Sequence, residues 1–146
     1  MVSTVKMKKN KRVGRADVWM DEAKYDFDTC LELHTLGRFN WVCTCPQQVG
    51  EKAIKSSFLL NGVDYPWTHS IVDLLDGLKE IVPIEDEEFL ALRHCASELD
   101  PHYIETRYSD AVTGNQAPYK HYDDKRSGEC LRNARRLLEW VEKQIQ

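Results

Sequence analysis

The stretch from Asn40 to Val63, NWVCTCPQQVGEKAIKSSFLLNGV, constrains the fold more than any other part of this chain. At 3.6 residues per turn it places Trp41, Cys45, Val49, Ala53, Ser56 and Leu60 on one stripe, the face that a core helix needs. Gly62 stands just past the last periodic residue and supplies the stop. Gln47, Gln48, Lys52 and Lys55 are interleaved beside the stripe, so groups able to grip a phosphate or a base sit next to groups that seek burial. Lysines on a helix flank ordinarily form a solvated face, which is the plain reading of the stretch taken alone.

The flanking segments read as helices that can pack on it. Ala16, Trp19, Met20, Ala23, Phe27, Cys30, Leu31 and His34 recur at three and four, and Gly37 closes the run. A link as short as Gly37 to Phe39 allows only an antiparallel turn, so the first two helices form a hairpin. Asn40 is the expected N-cap of the second; Pro46 removes the bond to the Val42 carbonyl, at a cost of about 3 kcal/mol in a regular helix interior, so the helix either kinks there or begins there. Pro66 keeps the next loop extended. Thr68 or Ser70 then caps a third helix with Ile71, Leu74, Leu75, Leu78 and Ile81 inward, and the Ser70–Asp73 spacing resembles a capping box. A fourth helix carries Phe89, Leu92, Ala96 and Leu99 and meets Pro101. Residues 104–121 show no helical stripe, and a last helix carries Tyr122, Cys130, Ala134, Leu137, Leu138, Val141 and Ile145, with Asp123 and Asp124 at its cap. No strand-like alternation occurs, so the expected fold is an all-α, up-and-down bundle of four main helices with an additional short helix.

A length of 146 residues suits one domain. Residues 1–14 have no apolar period and are expected to be a disordered basic tail, with the domain spanning 15–146. Lys6, Lys8, Lys9, Lys11, Arg12 and Arg15 all precede the first acid, which leaves 14 basic against 24 acidic residues in the remainder. A body this acidic argues against binding duplex nucleic acid, which depends on counterion release at a basic surface. There is no apolar run of membrane-spanning length and no apolar segment behind the N-terminal lysines, so neither a membrane nor a secretory signal is expected and the location is expected to be cytoplasmic. Five cysteines, an odd number scattered over helical segments, point to reduced thiols rather than a disulfide framework. Cys43 and Cys45 face nearly opposite ways on a helix and no Cys/His pair completes a zinc spacing, so no metal site is expected.

Three blocks in order, N-W-V-C…Q-Q-V-G-E-K-A-I-K…L-L-N-G-V, then Y-P-W-T-H-S-I-V-D-L-L, then Y-I-E-T-R-Y-S-D-A, resemble the HEPN family of small helical domains, named for nucleotide binding in prokaryotes and higher eukaryotes. The resemblance covers roughly Asp17 to Val141 and implies the helical fold, pairing of two copies, and a nucleotide ligand. The Thr106–Asp110 loop resembles the T-R-Y-P-D block of the family's non-nuclease branch, with Ser109 where proline is usual. It implies Arg107 on a phosphate and Tyr108 stacked on a base or ribose, beside Asp110. A structural reading pairs Arg107 with Asp110 and packs Tyr108 beneath the loop. The family's ribonucleases carry an arginine, four to six residues, then a histidine; none of His34, His69, His94, His102 and His121 stands so, which argues against a nuclease.

The expected function is therefore a homodimeric nucleotide-binding module without a catalytic residue, using Gln48, Lys52, Lys55, His69, Arg107, Tyr108 and Asp110. His69 is placed there because it falls at a helix start, where an anion is welcome. The expected ligand is a nucleoside triphosphate, with no other cofactor. Two alternatives stand beside it. One is a toxin-like RNA endonuclease, paired with a nucleotidyltransferase-type partner and using a non-standard His102 or His121. The other is a co-chaperone-linked interaction domain with a vestigial pocket, since N-W-V-C resembles the helix start of the HEPN domain that ends sacsin.

Overall fold

The computed structural model describes residues 2–105 and 115–145, with side chains for 11–103 and 115–145. Six helices follow in order: α1 Val2–Thr35, α2 Phe39–Leu60, α3 Ile71–Lys79, α4 Asp86–Leu99, the single turn α5 His102–Glu105, and α6 Asp124–Ile145. No strand occurs among the described residues, and no helix is long and apolar enough to cross a membrane. The expected bundle of four long helices is α1, α2, α4 and α6, with α3 as the shorter piece.

Helix α2 is the axis of the fold, because it touches all five of the others. Its burial runs almost all round rather than along one stripe, and takes in Gln47, Glu51, Lys55, Ser56 and Ser57 as well as Val42, Val49, Ile54 and Phe58. Gly50 shows how close the packing is. A Cβ there would lie 2.7 Å from Ile71 Cδ1 and 3.0 Å from Leu137 Cδ1, so glycine is what lets α3 and α6 approach. Gly37 and Gly62, both at φ +75°, end α1 and α2 in the left-handed conformation that glycine adopts without strain. Pro46 interrupts one bond inside α2, but the helix runs on through it, held by neighbours on every side.

Local caps follow the sequence closely. Ser70 Oγ accepts from Asp73 N at the start of α3, and Asp123 Oδ1 accepts from Arg126 N at 2.8 Å at the start of α6. Ile71, Leu74, Leu75 and Leu78 are fully buried, as are Leu92, Ala96 and Leu99 of α4, while Cys130, Ala134, Leu137, Leu138 and Val141 turn inward along α6.

Five expectations are corrected. Residues 2–14 continue α1 as helix instead of forming a disordered tail: lysine, arginine, methionine and valine include no strong breaker before Gly14, and extending an existing helix avoids the cost of nucleation. Trp41 leaves the core stripe and is 48% exposed, because the first turn of α2 lies at the end of the hairpin where neighbours run out; Asn40 is inside α2, and Arg38 holds the N-cap position without a side-chain bond. Ile81 lies past the end of α3 and is exposed. Finally, Cys30 and Cys45 are joined by a disulfide across the α1–α2 hairpin, with Cα atoms 5.8 Å apart, leaving Cys43, Cys95 and Cys130 as thiols. Counting cysteines cannot see that antiparallel packing brings two of them face to face.

Candidate functional site

The polar residues of α2 meet partners from the chain itself. Lys52 Nζ donates to Asp26 Oδ2 of α1 at 2.6 Å, and Lys55 Nζ donates to Glu51 Oε2 at 3.1 Å. The Lys55 ammonium also lies 5.0 Å from the Tyr65 ring centre and 5.7 Å from that of Trp19, a cation held between a carboxylate and two aromatic faces. His69 Nδ1 lies 3.2 Å from the other oxygen of Glu51, and its ring stacks on Tyr103 with centres 5.8 Å apart. Gln48 Nε2 donates to Gln47 Oε1 at 3.0 Å. The structure thus brings Lys55 and His69 together, but on the buried Glu51; Lys52 is drawn off to α1.

The anion expected at the start of α3 is also supplied internally. Asp100, at the end of α4, accepts from Ile71 N at 2.9 Å, Val72 N at 3.1 Å and Ser70 Oγ at 3.0 Å. Gln47 Nε2 adds a bond to its Oδ1 at 3.3 Å and donates to the His69 carbonyl at 2.8 Å. The helix terminus beside His69 is occupied by this carboxylate. Arg107, Tyr108 and Asp110 lie outside the described residues.

A hollow of about 500 Å³ lies between the first half of α1 and the loop after α2. Its walls carry Lys11, Arg12, Arg15 and Trp19 from α1, and Asp64, Tyr65 and Trp67 from the loop. Arg12 pairs with Asp64 through Nε at 3.1 Å and Nη2 at 3.3 Å, and this contact holds the Asp64 carboxyl below the usual carboxylate range. Lys11 and Arg15 make no ion pair among the described residues. Trp67 is 99% exposed, and Tyr65 and Trp19 meet edge to face at 5.5 Å. The hollow joins the buried seam through those two rings, since they are the ones that flank Lys55. Sequence reasoning missed it by assigning Lys11 and Arg12 to a tail; the signal was present in the basic run, and what was lacking was the helix that carries it to Trp67.

A second hollow, about 460 Å³, opens at the α1–α2 turn between Arg38, Phe39, Trp41 and Tyr119. His102 is buried, with Nδ1 3.2 Å from Tyr122 Oη, and His121 Nε2 is buried without a hydrogen-bond partner among the described residues. Cys43 and Cys130 face each other from α2 and α6 with sulfurs 2.6 Å apart. The bond between them keeps the Cys43 thiol protonated well above its ordinary range and pushes Cys130 down to about 6, helped by a hydrogen bond from His102.

A bundle wrapped on one central helix, with its inner charges paired and a cation-and-aromatic hollow left at the surface, defines a small all-α domain. The chain belongs to the HEPN domain family, which matches residues 16–144. It is similar to TT1696 from Thermus thermophilus, with 34% identity and a TM-score of 0.79 over 88% of this chain and 97% of that one. It is also similar to ST0689, an archaeal HEPN homologue, with 29% identity and a TM-score of 0.72 over 90% of this chain and 98% of that one. A HEPN domain protein from Thermotoga maritima shares 26% identity, with a TM-score of 0.66 over 87% of this chain and 96% of that one. No curated protein is significantly similar to this chain.

Proposed function

We propose that this HEPN domain is a homodimeric binding module for a nucleoside phosphate, and that the phosphate end of the ligand is taken by Lys11 and Arg15. The observation that carries this reading is the hollow they share with Trp67. Its volume lies within the range of small-molecule sites, roughly 300–1,000 Å³. Three cations face one carboxylate there, a local reversal of the chain's acidic balance that favours a polyanion. A fully exposed Trp67 beside them offers a flat apolar face on which a base can stack. Arg107, Tyr108 and Asp110 remain proposed contributors through the family resemblance alone.

Pairing of two copies is proposed at the other end of the hairpin. Trp41 and Tyr119 line the second hollow and are 48% and 58% exposed, and Leu36, next in sequence to its Gly37, is 71% exposed, apolar surface that an isolated domain would leave wet. Binding without cleavage is favoured over the toxin-like nuclease because His102 is buried against Tyr122, away from any strand laid on the surface.

Calorimetry with ATP and GTP tests the proposal. Binding that weakens at least tenfold in Arg15→Ala and in Trp67→Ala is the expected result. Binding that ignores both changes but is lost in Lys52→Ala moves the ligand to the α2 seam, and no binding of either nucleotide overturns the reading. Light scattering that finds a monomer at micromolar concentration removes the dimer. RNA cleavage that survives purification and is lost in His102→Ala replaces binding by catalysis.

A further inference from the structure

We propose that Cys43, His102 and Cys130 form a binding site for a thiophilic divalent cation, with Zn²⁺ the ion that best fits two sulfurs and one imidazole. The three come from α2, α5 and α6, and 59 and 28 residues separate them along the chain, which no metal-ligand spacing rule would find. In space, their ligand atoms all lie within 4.8 Å of one another, and all three residues are buried. Facing helices of a bundle core are where such sites are built.

The surroundings match what a metal-bound histidine needs. Tyr122 Oη engages Nδ1 of His102 at 3.2 Å, the kind of second contact that orients a metal-binding ring. The tyrosine is itself 6% exposed and lies under the Arg126 guanidinium, whose carbon is 4.3 Å from the ring centre. The Arg126 carbonyl lies 3.8 Å from the Cys43 sulfur, so one residue of α6 borders both halves of the site. A buried cysteine is more often a small apolar side chain than a ligand. Here, however, the two thiols face each other and an imidazole within the core, and Cys95, the remaining thiol, has no place in the cluster.

Binding requires one adjustment. Tetrahedral zinc with Zn–S near 2.3 Å sets two sulfurs about 3.8 Å apart, so the pair opens from 2.6 Å by about 1 Å, within the reach of small χ1 changes. Each cysteine binds as thiolate, so any thiol proton on the pair is released to solvent as the ion enters. Three ligands from the chain leave the fourth tetrahedral position for water.

The test uses the whole chain, reduced and stripped with a chelator, with Co²⁺ as the spectroscopic probe. One Co²⁺ per chain, with thiolate-to-cobalt charge-transfer absorption that bleaches when Zn²⁺ is added, is the expected result. Zn²⁺ should also raise the melting temperature by several degrees, reversed by chelator. Tyr122→Phe, which keeps the ring and removes the bond to His102, should weaken Zn²⁺ affinity about 10-fold, while Cys95→Ser should leave it unchanged. Two results overturn the proposal: a folded, reduced wild-type chain without the charge-transfer band, or a Cys43→Ser/Cys130→Ser chain in which the band persists. Because the wild-type measurement needs no substitution, misfolding of a core variant does not blunt the test.

Discussion

Asp100 should be among the most sensitive positions in the protein, although it is an acid at a helix end. One carboxylate accepts four hydrogen bonds: Ile71 N and Gln47 Nε2 on Oδ1, Val72 N and Ser70 Oγ on Oδ2. Asp100→Ala removes a cap from two backbone N–H groups of α3, worth about 1 kcal/mol. It also removes a negative charge from a helix N-terminus, worth about 0.5 kcal/mol, and strips charged acceptors from Ser70 and from the buried Gln47, worth about 1.5 kcal/mol more. The sum is about 3 kcal/mol, or about 10 °C in melting temperature for a chain of this size. Asp100→Asn preserves the volume but turns an NH₂ group toward two of the donors, so it should still cost about 2 kcal/mol. Urea unfolding followed by far-UV circular dichroism measures both, with the slope against denaturant expected to stay constant. The alanine variant also vacates an anion site, so phosphate should stabilise it more than the wild type. A loss below 1 kcal/mol for Asp100→Ala, or an asparagine variant as stable as the wild type, would refute the view that this carboxylate closes α3.

Three further outcomes are expected. Cys30→Ser opens a cross-link spanning 15 residues and should lower stability by about 3 kcal/mol under oxidising conditions, with no difference from wild type once both are reduced. Gly50→Ala gains about 1 kcal/mol of helix preference but presses on two fully buried side chains at a cost of up to about 3 kcal/mol, so chemical denaturation should show a net loss, and a stabilised variant would contradict the close approach of α3. At Asp64 the carboxyl is held low by Arg12, so the Arg12–Asp64 link is present above the ordinary carboxylate range and is lost as acid protonates Asp64; Asp64→Asn removes the charge at neutral pH and should tighten nucleotide binding severalfold by calorimetry, least at high salt.

The helices and several of their ends were legible because they depend on neighbours in sequence. The three-and-four recurrence of α1 and α6, the glycines at 37 and 62, and the Ser70 cap each act over a turn or less. Which charges meet was not legible. Lys52, Lys55 and His69 read as a convergent set, yet Asp26 lies 26 residues from Lys52, and Glu51 engages both Lys55 and His69 because α2 is enclosed and its polar groups must find partners inside. The same holds for Asp100, 29 residues from the N–H of Ile71 that it caps. It holds again for Cys43 and Cys130, 87 residues apart and in contact. Local sequence, through backbone periodicity and caps, determined an all-α chain organised on α2. Only the crossing of the helices decided which carboxylate answers each cation and which thiols meet, and it is what sets Lys11 and Arg15 opposite Trp67, because those encounters depend on distances in space that no spacing along the chain encodes.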